Sequence, residues 1–136
     1  MTAPAPYVFL PGTAREALAF YADVFGCSAE VHTLEDFGRT DGPPDAVAHG
    51  RLSGGPVALF AADASADQAP FRSEGMMLSL LGAAPAATLT EWFRKLARGG
   101  QVVDDLQSRP WGATDGQVVD RHGLHWLIGY EEDDSA

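Results

Sequence analysis

The feature that most constrains this chain is a repeat. Thr13-Ala-Arg-Glu16 and Thr88-Leu-Thr-Glu91 have the same spacing and lie 75 residues apart (88 − 13 and 91 − 16). That spacing is a capping box. The threonine hydroxyl accepts a free N–H of the first turn, and the glutamate reaches back to the threonine amide. Apolar stripes follow at the same offset, Leu18 with Phe93 and Tyr21 with Leu96. Gly26 is placed to stop the first helix in the left-handed conformation, and Gly99-Gly100 to stop the second.

The flanks repeat as well. An apolar run precedes each helix: Tyr7 to Leu10, and Met76 to Leu81. Three strand-like runs follow each one. They are Ala29 to Leu34, Ala46 to Leu52 and Val57 to Ala61, then Val102 to Leu106, Gly116 to Val119 and Leu124 to Tyr130. Gly54-Gly55 and His122-Gly123 supply the last turn of each half. The expected fold is α+β, with two tandem βαβββ modules at about 5–63 and 76–131 in a single domain. Residues 64–75 read as a linker inside that domain, and 132–136 as an acidic tail. One helix covers one sheet face only. Two such halves are therefore expected to curl mixed sheets around a common cleft, which would be the ligand site.

Charge narrows the partners. The 9 basic and 19 acidic residues give a net charge of −10. The nearest thing to a basic cluster is Arg94, Lys95 and Arg98 on one helix, so neither nucleic acid nor an anionic membrane is an expected partner. Cys27 alone cannot form an internal disulfide, which fits a reducing cytoplasm. No run is long and apolar enough to span a bilayer, and no signal peptide is apparent.

The sequence resembles the vicinal-oxygen-chelate (glyoxalase/bleomycin resistance/dioxygenase) superfamily, and within it the PhnB-like branch. Tyr7 to Phe25 carries the resemblance, with Pro11-Gly12 before the helix, as do Ala46-Val-Ala-His49 through Asp63. The last third is the most specific: Trp92-Phe93, Leu106-Gln107, Trp111-Gly112, then Gly116, Val118-Val-Asp120, Gly123 and Trp126. The resemblance implies a glyoxalase/bleomycin-resistance fold and a homodimer. No Gly-rich loop for S-adenosylmethionine accompanies it.

The family's metal enzymes use His or Gln on the first strand of each half and Glu on the last. Here those positions fall within Val8-Phe9-Leu10 and Leu78-Ser79-Leu80, with Leu59-Phe60-Ala61 and Leu127 on the last strands. None suits a divalent ion, so no metal and no cofactor is expected. His32, His122 and His125 read as surface or hydrogen-bonded histidines, and Asp120 as a turn residue. Trp92, Phe93 and Trp126 read as core. Cys27, after a helix C-terminus, reads as inert. No catalytic group stands out. The candidate ligand-binding residues are His49, Trp111, Phe9, Phe60 and Ser79.

The leading expectation is a metal-free protein that binds an unidentified small molecule, as bleomycin-resistance relatives sequester a compound. One alternative is a metal-dependent isomerase, lyase or transferase with non-standard ligands, such as His49 with Glu131 or Glu132. Another is a homodimeric interaction module without catalysis.

Overall fold

A computed structural model describes residues 3–132, so Asp133 and Asp134 of the acidic tail lie outside the described residues. The chain forms two compact units, Met1–Phe71 and Arg72–Ala136. The first unit runs β1 (Tyr7–Leu10), α1 (Ala14–Phe25), β2 (Ser28–Thr33), a single 3-10 turn (Glu35–Phe37), β3 (Val47–Ser53) and β4 (Phe60–Asp63). The second runs β5 (Leu78–Leu81), α2 (Ala86–Leu96), β6 (Gln101–Ser108), β7 (Ala113–Val119) and β8 (His125–Glu131). Each is a βαβββ module with one four-stranded mixed sheet, in the orders β1-β4-β3-β2 and β5-β8-β7-β6. The first and last strands of each module run parallel, and the other pairs are antiparallel. Among the described residues, no helix is long and apolar enough to cross a membrane.

In the first sheet Val8 pairs with Ala61, Ala61 with Gly50 and Gly50 with Val31. This row faces α1, whose Leu18, Tyr21, Val24 and Phe25 are buried. A Cβ on Gly50 would sit 2.4 Å from Leu18 Cδ1. Glycine at that point lets the helix approach the sheet. In the second sheet Leu80 pairs with Ile128, and Trp126 with Val118; all four are buried on the side that packs against α2.

The helix starts depart from the sequence expectation. Neither helix has a side-chain N-cap bond at its N-cap, Thr13 for α1 and Pro85 for α2. Thr88 lies inside α2. At the start of α1 the acceptor comes instead from the end of β4. Asp63 Oδ1 takes the Ala14 N–H at 2.9 Å, and its Oδ2 takes the Val47 N–H at 2.9 Å. One carboxylate thus ties the helix, the last strand and the start of β3, at the helix end that favours negative charge. The repeat offset shifts too. The helices start 72 residues apart (86 − 14). Buried Ala14, Ala17, Tyr21 and Val24 match buried Ala86, Leu89, Phe93 and Leu96 at that offset. Gly26 ends α1 as expected, at φ 68°.

Asp63→Ala is expected to lower unfolding stability by about 1–3 kcal/mol, because two backbone donors lose a charged acceptor. Thr13→Ala and Glu16→Ala should each change it by no more than about 0.5 kcal/mol. Urea melts of the three variants check the assignment. Equal losses in all three would return the cap to Thr13.

Candidate functional site

With α1 on one face, the other face of the first sheet is built from the residues in between. Register places Tyr7 beside Phe60, Phe60 beside Arg51, and Arg51 beside Glu30, one row across four strands. Alternation adds Phe9, Ala62, His49 and His32 two residues along. The β1 edge of this face is aromatic. Tyr7 and Phe60 stack with centroids 5.8 Å apart and an interplanar angle of 5°. His49 lies 5.6 Å from each of them, and Phe9 lies 5.2 Å from Tyr7. Tyr7 Oη and His49 Nδ1 are hydrogen-bonded at 3.0 Å. Partial burial pushes the Tyr7 phenol above its ordinary value, so it holds its proton at neutral pH.

The β2 side of the face is charged. Arg51 Nε donates to Glu30 Oε2 at 2.7 Å. The Arg51 hydrogen bond, then its charge, holds the Glu30 carboxyl below the usual range. His32 stacks on Phe37 at 5.7 Å. Past Phe9, Ala48 and Ala62 the face runs into a pocket of about 440 Å³, edged also by Leu34, Arg39 and Gln68.

The matching face of the second sheet differs. Ser79 pairs with Leu127, Leu127 with Gln117 and Gln117 with Asp104. Arg109 donates to Asp104 Oδ2 at 2.6 Å and to Asp115 Oδ1 at 2.8 Å. His125 Nε2 meets Gln117 Oε1 at 3.0 Å. These polar groups satisfy one another.

The structure therefore brings together three of the five residues expected from sequence: His49, Phe60 and Phe9. Ser79 lies on β5 in the other unit, exposed. Trp111 occupies the β6–β7 turn at 71% exposure, so it does not plug the core. Trp92, Phe93 and Trp126 are buried. Asp120 is buried in the β7–β8 turn, where it accepts from the His122 N–H at 2.7 Å and from Trp126 Nε1 at 2.7 Å. Burial holds the Cys27 thiol above its ordinary value, which makes it a poor thiolate. Arg51 shares the face of His49, as strand alternation predicts; Tyr7 is the aromatic member that the site expectation lacked. The Tyr7/Phe9 alternation was the available signal for Tyr7.

The open-face positions where first and last strands pair are Tyr7, Phe9, Phe60 and Ala62, and Ser79, Leu81, Leu127 and Gly129. Apart from a phenol and a hydroxyl these offer no ligating side chain. His125 and Glu131 share that face of β8, where His125 is hydrogen-bonded to Gln117. Among the described residues, no group of three or more His, Cys, Asp or Glu is placed to hold a metal.

Residues 5–128 match the family described as the Glyoxalase/Bleomycin resistance protein/Dioxygenase superfamily. Protein PA1353 from Pseudomonas aeruginosa is similar, with 30% identity, a TM-score of 0.79, and 96% of this chain and 98% of that one covered. The PhnB protein from Bacillus cereus has 19% identity and a TM-score of 0.77, with 95% and 99% covered. A glyoxalase-related enzyme from Fulvimarina pelagi has 20% identity and a TM-score of 0.61, with 96% and 89% covered. The last two are likenesses of fold. No curated protein matches the chain.

Arg51→Ala should raise the Glu30 carboxyl toward the ordinary carboxylate range, read by NMR titration of its side chain. Because the folded value is depressed, the pair stabilises the fold above the ordinary Glu pKa. That contribution fades as pH falls through the depressed value. An unchanged Glu30 titration would mean that Arg51 does not hold it.

Proposed function

The chain belongs to the glyoxalase/bleomycin resistance protein/dioxygenase superfamily, and we propose that its role there is to bind a planar organic molecule on the open sheet face of its first unit. The observation that carries this reading is the contact of Tyr7, His49 and Phe60 rings, flanked by Phe9. Four rings on one uncovered face offer flat apolar area and π contacts. The Tyr7–His49 pair offers polar atoms to orient what lands there.

Area sets the size of the ligand. One six-membered ring laid on the face removes on the order of 100 Å² of apolar surface, or about 2.5 kcal/mol. That is short of the ~4.1 kcal/mol of a millimolar complex. A ligand must extend beyond one ring, and the 440 Å³ pocket bordering Phe9 is where it can extend.

We also propose self-association. The second unit's edge strands β5 and β6 expose apolar side chains, among them Leu81 at 53% and Val103 at 51%. Edge strands with apolar side chains are ready to pair with another chain. The compartment proposed is the cytoplasm, with no nucleic acid partner.

Titration with two-ring aromatic compounds, followed by NMR, should shift signals of Tyr7, Phe9, His49 and Phe60 first. Phe60→Ala should weaken binding by about 1 kcal/mol, roughly fivefold. Shifts confined to other surfaces would sink the reading. For self-association, light scattering at tens of micromolar should give the mass of a dimer, which Val103→Asp lowers. A monomeric wild type would refute it.

A further inference from the structure

The Tyr7–His49 contact has a direction. Imidazole Nδ1 can accept from the phenol, or Nδ1–H can donate to it. The phenol holds its proton at neutral pH, and a phenol is a better donor than acceptor. The imidazole Nδ1 lone pair is in turn a stronger acceptor than the phenol oxygen. The rings cannot swing away freely, because Tyr7 and His49 each pack against Phe60. The phenol donating to Nδ1 leaves the imidazole proton on Nε2, across the ring from Tyr7.

Resting on the binding reading above, we propose that Tyr7 fixes His49 as the Nε2–H tautomer, and that the face selects uncharged planar aromatic compounds bearing a carbonyl acceptor. The Nε2–H is then the directed donor of the aromatic patch, lying in the imidazole plane and open to an acceptor that a ligand on the neighbouring rings holds at the edge of His49. A ketone or amide oxygen satisfies it. A hydrocarbon of the same outline leaves it covered and unbonded, which is unfavourable. A carboxylate gains little more than a ketone. Arg51, the cation in the same row, is already engaged by Glu30 at 2.7 Å, and the chain carries a net charge of −10. Tyr7 acts here as a positioning residue, through His49.

Three probes of one shape separate these terms: 2-acetylnaphthalene, 2-isopropenylnaphthalene and 2-naphthoate. The expected order by NMR titration is the ketone tightest, with the hydrocarbon weaker by about fivefold and the carboxylate no tighter than the ketone. His49→Phe should keep the rings and erase the ketone's advantage. Imidazole 15N shifts at about pH 8.5, above the ordinary imidazole range, should show the Nε2–H form in the wild type. In Tyr7→Phe they should move toward the mixture of a free imidazole. Equal affinity for ketone and hydrocarbon, a clear preference for the carboxylate, or an Nδ1–H wild type would overturn the inference while leaving the binding face intact. Absence of all three probes from the face would overturn both.

Discussion

Each four-stranded sheet of this protein carries one helix, and one helix covers one face. The chemistry of the molecule follows from the face left over. In the first unit the covered side is fixed by close contact. Gly50 leaves room for Leu18 of α1, and Asp63 ties the Ala14 and Val47 amides to the end of β4. With Val8, Ala61 and Gly50 committed to the helix, the two-residue period of a strand sends Tyr7, Phe9, Phe60, His49 and Arg51 to the other side. The aromatic face is therefore a consequence of register. A slip of one residue in β3 would turn Arg51 under α1, and a slip in β1 or β4 would turn rings there and expose core.

The two units show how differently one frame can be used. Tyr7 and Phe60 in the first have Ser79 and Leu127 as counterparts in the second. Arg51 and Glu30 have Gln117 and Asp104. The first row exposes rings, whose faces stay available after they touch each other. The second carries one leucine, Leu127, among polar groups, and its Asp104 and Gln117 are already hydrogen-bonded, to Arg109 and His125. Satisfied polar groups gain little from a ligand, because new bonds replace existing ones. Exposed rings gain whatever apolar area is covered. This inequality is why the proposed binding face is the one in the first unit.

Much of the fold was legible in the sequence, because two-residue and 3.6-residue periods and glycine turns are local signals. All eight strands were expected within about three residues of where they lie, and Gly26 where it stops α1. The misreadings also have physical causes. An offset of 75 and one of 72 differ by nearly one helical turn, so apolar stripes look alike under either, and the matching Thr-x-x-Glu motifs favoured the wrong one. The true cap of α1, Asp63, sits 49 residues from Ala14, beyond the reach of any local pattern. Phe9, Phe60 and His49 were reachable because they fall on strands at family positions. Tyr7 was seen only as part of an apolar run, since a tyrosine at a strand start gives no sign of its partner until the register is known. Trp111 drew attention by its type, and its place in the β6–β7 turn leaves it exposed rather than in the core.

The first- and last-strand positions at which the family resemblance implies metal ligands fall among Phe9, Phe60, Ser79 and Leu127 here, and that exchange changes what the site can supply. A coordinated ion orients two ligand oxygens and polarises them strongly. A ring cluster supplies area without direction, and the Tyr7–His49 pair restores direction through one hydrogen bond. Area alone gives about 25 cal/mol per Å², and a single neutral hydrogen bond adds about 1 kcal/mol net. Terms of that size suit the reversible capture we propose, of a flat ligand that spans the rings and reaches past Phe9. Such binding would discriminate by outline first and by one acceptor second, with His49 as the one point that also tests a ligand's chemistry.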